Sequence, residues 1–280
     1  MTDIILDTLL DTIKLLPFLF LTYLAMEYLE HKAGAKTDSL VRKAGRFGPL
    51  IGGIVGAVPQ CGFSAAASNL YAGRVITLGT LLAIYLSTSD EMLPILISEQ
   101  QPVGLILRIL LMKVIIGTIA GFLIDLLFFR GKNREEHNHI HELCRHEHCH
   151  CEKGIFRSAL NHTLQITFFV LVISFALNLA LYFLGEDALA DLILNRPVLG
   201  PVLAGVVGLI PNCAASVAIT QLYLKGAMSM GAMMAGLLVG AGVGLLVLFR
   251  VNHDKKENFK IAGLLYAVGV LSGIVIECLM

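Results

Sequence analysis

The chain is short of the parts that enzymes are built from. It has no GxxxxGK[ST] phosphate loop, no HExxH zinc motif and no nucleophile–base arrangement. Catalysis is therefore the least supported class, and any use of ATP would need a separate subunit. Charge is scarce too, at 15% of residues against 56% hydrophobic, and the mean hydropathy is +0.77. That is far more apolar than a water-soluble domain. The formal net charge is zero, so total charge identifies no partner and nothing suggests nucleic acid. The opening residues lack a basic n-region and carry Asp3, Asp7 and Asp11, so no cleaved signal segment is expected.

What the chain does have is apolar runs of about the length that crosses a bilayer. They fall near 15–29, 48–72, 75–97, 104–129, 164–184, 200–224, 227–249 and 261–280. The expected fold is an all-α polytopic membrane protein whose main partner is the lipid bilayer. GxxxG-like spacing serves packing within the chain as readily as a homodimer, so both stay open.

Residues 11–128 and 163–280 align without a gap at a shift of 152. GPLIGGIVGAVPQCGFSAAASNLYAGRVITLG (48–79) sets Pro59, Cys61, Ser64 and Leu70-Tyr71 over Pro211, Cys213, Ser216 and Leu222-Tyr223. Such duplication is a recurring build for transporters, with the substrate held where the repeats meet. The chain divides into a first membrane repeat (1–129), a linker (130–158) and a second repeat (159–280).

Basic residues collect on the cytoplasmic side of a membrane. Loop 31–47 holds Lys32, Lys36, Arg42, Lys43 and Arg46, whereas its counterpart 184–199 holds only Arg196. Loop 98–104 has none, yet its counterpart 250–260 has Arg250, Lys255, Lys256 and Lys260. Equivalent loops with opposite bias predict inverted repeats in an inner membrane, the linker cytoplasmic and both termini outside. Inversion needs an odd number of crossings per copy. Pro59 and Pro211 interrupt their runs at Pro-x-Cys motifs, so each run is expected as two half-helices, giving about five helical pieces per copy. The alternative is an unbroken kinked helix at each site, with parallel repeats.

Broken helices at membrane depth bring carbonyls and helix ends to the midplane. Gln60 with Cys61, and Asn212 with Cys213, put an amide oxygen beside a thiol at each break. Ser64, Asn69, Ser216 and Gln221 follow. Amide oxygen with sulfur suits a divalent transition metal of intermediate softness. A kink with a small cysteine filler is the plainer reading of either motif alone. Asp90 and Glu91 lie within a span, where carboxylates are costly and usually line a polar path. Lys113 sits at similar depth on the next helix, so an Asp90–Lys113 or Glu91–Lys113 pair could couple transport to protons or be a buried ion pair. Gly236, Gly240 and Gly244 suggest a packing face in the second copy, and Asp125 and Glu277 suggest snorkelling carboxylates near helix ends.

The linker gathers His137, His139, His141, Cys144, His146, His148, Cys149, His150 and Cys151. Imidazole and thiolate at this density bind transition metals with little selectivity. No cofactor is required; metal ions are expected as substrate and on the linker, which could be a sensor, a buffer or incidental.

With VPQCGFSAAASNLYAGRVITLGTLLAIYLSTSDEMLPI (58–95) and IPNCAASVAITQLYLKG (210–226), the chain resembles the ten-helix heavy-metal exporter family. Its members are described as manganese transporters or as arsenic efflux proteins. The resemblance implies an inner-membrane carrier exporting a metal or metalloid. The leading expectation is a secondary transporter for a divalent metal (manganese, iron, cobalt or zinc) working by alternating access. Arsenite or organoarsenical efflux through the thiols, and a membrane metal sensor, are the alternatives.

Overall fold

In a computed structural model of the protein, the residues described are 47–129 and 199–279, apart from Pro59, Gln60, Asp90 and Glu91, with scattered helical positions at 13–24 and 156–175. No strand occurs among them. The first copy contributes α1 (Gly48–Gly56), α2 (Cys61–Ala72), α3 (Leu78–Ser87), α4 (Met92–Ser98) and α5 (Val103–Phe129). The second contributes α6 (Leu199–Gly208), α7 (Cys213–Leu224), α8 (Met230–Val239), α9 (Val243–Val251) and α10 (Lys255–Leu279). The shift read from the sequence carries each helix onto its mate with ends differing by two residues at most. Among the described residues, four stretches are long and apolar enough to cross a membrane: Leu78–Ser98, Val103–Leu127, Met230–Val251 and Lys255–Leu279.

The run 75–98, expected as one helix, is two. α3 stops at Ser87 and α4 resumes at Met92; in the second copy α8 stops at Val239 and α9 resumes at Val243. Each copy thus carries a broken span in addition to its Pro-x-Cys break. The expected Gly236–Gly240–Gly244 face is accordingly no single helical stripe. Gly236 packs on Ala204 and Ile219, Gly240 lies in the break, and Gly244 packs on Ser64.

α3 and α8 begin at Thr77 and Ser229, whose hydroxyls accept Thr80 N–H at 3.1 Å and Ala232 N–H at 3.2 Å. A second cap comes from another helix. Asp125 Oδ1 accepts Gly79 N–H at 2.8 Å, and Glu277 Oε2 accepts Gly231 N–H at 3.0 Å. These carboxylates do not snorkel as expected: they answer the unpaired N–H groups and positive end of a neighbouring helix's first turn. Glycine makes the approach close enough. A methyl group on Gly121 would lie 2.5 Å from the Gly79 carbonyl oxygen, and one on Gly273 2.6 Å from that of Gly231.

Contacts along α1 fix the path of the Pro-x-Cys segment. Its first residue, Gly48, lies against Thr80, and its last, Gly56, against Ile84 and Ser87. α1 therefore runs alongside α3 in the same direction, from its start toward the break. Since α2 must end at Ala72, five residues before the Thr77 cap, α2 returns to where α1 began. The pair is a re-entrant hairpin, not a kinked crossing helix. The second copy repeats the geometry, with Gly208 against Gly236 and Val239. α5 then runs antiparallel to the broken span, with Gly121 at Gly79 and Gly117 at Ala83.

The broken spans are buried, whereas α5 and α10 expose Leu107, Leu111, Ile119, Leu126, Phe259, Leu271 and Val275. That is the distribution expected when lipid surrounds the outer helices.

Candidate functional site

Four interruptions of the chain meet at the middle of the molecule. The tip between α1 and α2 lies by Ser87, where α3 ends, and the tip between α6 and α7 lies by Val239, where α8 ends. Each interruption must satisfy the backbone groups that a continuous helix would have paired. In the first copy Ser89 Oγ donates to the freed Ser87 O at 3.0 Å, while Ser87 Oγ and Thr88 Oγ1 bond back, both at 2.7 Å, to Ala83 O and Ile84 O in the last turn of α3. In the second copy Gly242 turns the chain at φ 54°, ψ −143°, a conformation essentially restricted to glycine.

Lys113 joins the two halves here. Its Nζ donates to Thr88 O, in the first break, and to Leu237 O on α8 at 3.0 Å. The residue is 1% exposed. An ammonium so far from water persists only where oxygens surround it, and backbone carbonyls freed near the breaks are part of that surround. A second tie runs through Tyr85. Its hydroxyl bonds Ser68 Oγ at 2.7 Å and donates to Gly244 O at 3.1 Å, while Ser68 Oγ lies 2.7 Å from the same carbonyl.

The expected site residues fall unevenly around this centre. Ser64, Asn69 and Asn212 are buried; Ser216 and Gln221 are half-buried. Ser64 and Ser216 offer their carbonyls to Ser68 and Thr220, at 2.8 and 2.7 Å. Cys61 and Cys213 are the first residues of α2 and α7, at the hairpin tips; only their backbone is described. Gln60, Asp90, Glu91 and all nine linker histidines and cysteines lie outside the described residues. Among the described residues no three His, Cys, Asp or Glu side chains come together.

A third tie lies at the far end of α2. Glu257, in the first turn of α10, accepts Tyr71 Oη at 2.7 Å and both Arg74 terminal nitrogens at 2.9 and 2.8 Å. Asn252 Nδ2 adds a bond at 3.0 Å. The bonded carboxylate holds the Arg74 guanidinium still further above its ordinary range, against the opposing effect of burial. Tyr85, Ser68, Arg74, Glu257 and Asn252 were not among the residues expected from sequence. Only Tyr71 and Arg74 had a cue, in LYAGR, where the second copy has LYLKG.

A family model described as "Putative, 10TM heavy-metal exporter" matches residues 1–174 and 132–246, most of the chain. No curated protein matches the chain. No solved structure matches it either.

Proposed function

Since the chain belongs to this family of ten-helix heavy-metal exporters, we propose that it is a secondary carrier that expels a divalent transition metal by alternating access between its two halves. The protein is a multi-pass membrane protein, and manganese or a neighbour (iron, cobalt or zinc) is the substrate this reading favours. The observation that carries it is the convergence of two hairpin tips and two helix breaks on one buried centre, bridged between halves by Lys113. A site made from both halves is remodelled whenever one half moves against the other.

Inverted repeats are the arrangement the contacts support. α2 runs from the centre to Arg74, and α9 runs from the centre to the loop before Glu257. The two pack side by side, Ser64 on Gly244 at one end and Arg74 on Glu257 at the other. The face where the first hairpin emerges is thus the face where the second copy's broken span ends. That face also receives loop 250–260 and the end of α5, whose following linker carries Arg130, Lys132 and Arg134. The abundance of Lys and Arg there supports reading it as the cytoplasmic face.

Cys61, Cys213, Gln60, Asn212 and Asp90 supply the proposed first shell, with Glu91, Ser64, Asn69, Ser216 and Gln221 around it. A bare cation would meet the Lys113 ammonium, so the carboxylates of Asp90 and Glu91 are needed to leave the centre net negative. The linker thiols and imidazoles would gather metal on the cytoplasmic side for export.

The test is metal content of cells expressing the chain against a Cys61→Ala/Asp90→Asn double variant, with manganese, iron, cobalt, zinc and arsenite supplied in turn. Lower content of one divalent metal, restored in the double variant, is the expected result. Lower arsenic alone would replace the cation reading with a thiol one. No change for any of them would sink the transport reading and leave the linker as a sensor.

A further inference from the structure

The two faces of the molecule are not closed by the same means. The Tyr71–Arg74–Glu257–Asn252 cluster joins the first hairpin to the second copy on one face. The repeat carries these positions to Tyr223, Gly226, Leu105 and Gln100 on the opposite face. Tyrosine is kept there and Gln100 keeps an amide, but Gly226 and Leu105 stand in place of the guanidinium and the carboxylate. A methyl group added to Gly226 would meet nothing within 4 Å.

Packing follows the same division. α2 lies along α9 in extensive contact, while the reciprocal pair, α7 and α4, touches much less. Ser64 and Asn69 of α2 are 0% exposed, yet their mates Ser216 and Gln221 on α7 are partly accessible.

The backbone at Arg74 adds an independent sign. Its φ is 57°, in the left-handed region that favours glycine, and its repeat mate Gly226 sits at φ 73°. An arginine costs free energy where glycine would not. It is held there by a bidentate ion pair and by stacking of its guanidinium carbon 5.2 Å from the Tyr71 ring centre.

We infer that Tyr71, Arg74 and Glu257 form a gate for substrate on the face that carries them, and that the matching positions of the opposite face, Tyr223, Gly226 and Leu105, hold no such ion pair. The inference rests on the alternating-access reading above. The structure is then the state shut on the Arg74 face and loosened on the other. Access from the Arg74 face requires the guanidinium and carboxylate to part, a restraint that Gly226 and Leu105 do not impose at the matching positions. An ion pair at these positions on one face and none at their mates on the other gives the resting carrier a fixed preference.

The test uses the full chain in right-side-out and inside-out membrane vesicles. A membrane-impermeant maleimide is applied, and alkylation of Cys61 and Cys213 is read by peptide mass spectrometry, with metal flux measured in the same vesicles. Wild type should react from the face opposite Arg74. Glu257→Gln should raise reaction from the Arg74 face roughly tenfold by populating a minor state, and the swapped pair Arg74→Glu/Glu257→Arg should restore most of the wild-type pattern. Equal labelling of wild type and Glu257→Gln, or a swapped pair as leaky as the single variant, would overturn the gate. If Glu257→Gln does not fold, Tyr71→Phe removes one bond of the cluster and should move labelling the same way by less; no movement would be the same refutation. Wild-type flux separates the two readings. Its absence would defeat transport itself, whereas flux with unmoved labelling defeats only the gate.

Discussion

The break between α3 and α4 and the break between α8 and α9 occupy the same place in the two repeats, yet they are held open by different chemistry. In the first, Ser89 turns its hydroxyl onto the Ser87 carbonyl that the helix leaves behind, Lys113 takes that of Thr88, and Ser87 and Thr88 bond back to the last turn of α3. In the second, Gly242 makes the turn by conformation alone, and the mate of Lys113 is Leu265, fully buried among apolar neighbours. The scaffold is common to both halves, and the buried ammonium described at the centre, that of Lys113, belongs to the first. One half therefore carries the charge that a moving ion would sense, and the other supplies the surface against which it moves.

The largest expected effect comes from making the first half resemble the second at that point. Lys113→Leu should lower metal export on the order of a hundredfold, the upper range of coupling between sites. Apparent thermal stability in detergent should fall, because Thr88 O and Leu237 O lose the donor that satisfies them. Export near wild type would make Lys113 a packing residue and leave the contrast between the breaks without consequence.

The converse change disturbs the second half. Gly242→Ala places a Cβ at φ 54°, ψ −143° and should destabilise the protein by about 1–3 kcal/mol, read as a lower unfolding midpoint. An unchanged midpoint would mean that this break does not depend on glycine's freedom.

The smallest effects should be matched between halves, since the caps of α3 and α8 are alike. Asp125→Asn and Glu277→Gln should each cost about 1 kcal/mol. Asp125→Asn should cost slightly more, because Asp125 also accepts Thr77 Oγ1 at 2.7 Å. A large disparity between the two would show that the repeats differ in scaffold as well as in charge.

Much of this architecture was legible in the sequence because duplication wrote it twice. The shift of 152 aligned the helices, and the prolines marked both hairpin tips. The breaks at 88–91 and 240–242 were hidden. Neither contains proline, and the first is stabilised by a lysine on another helix, a contact that no local pattern announces. Asp125 and Glu277 were misread for a similar reason: each caps a helix start 46 residues earlier in the chain. Arg74 and Glu257 stand 183 residues apart, and only the fold joins them.

The interleaving of the hairpins also governs how the chain can be made. α2 finds its partner α9, and Ser68 and Tyr85 find Gly244, in a segment synthesised 176 and 159 residues after them. During translation the first hairpin is complete while the surface that will bury its hydroxyls does not yet exist. Polar groups waiting in lipid are costly, and contacts so distant in sequence form slowly. Until α9 arrives, the Ser68 and Tyr85 hydroxyls of the first half lack the Gly244 carbonyl that they share in the finished fold.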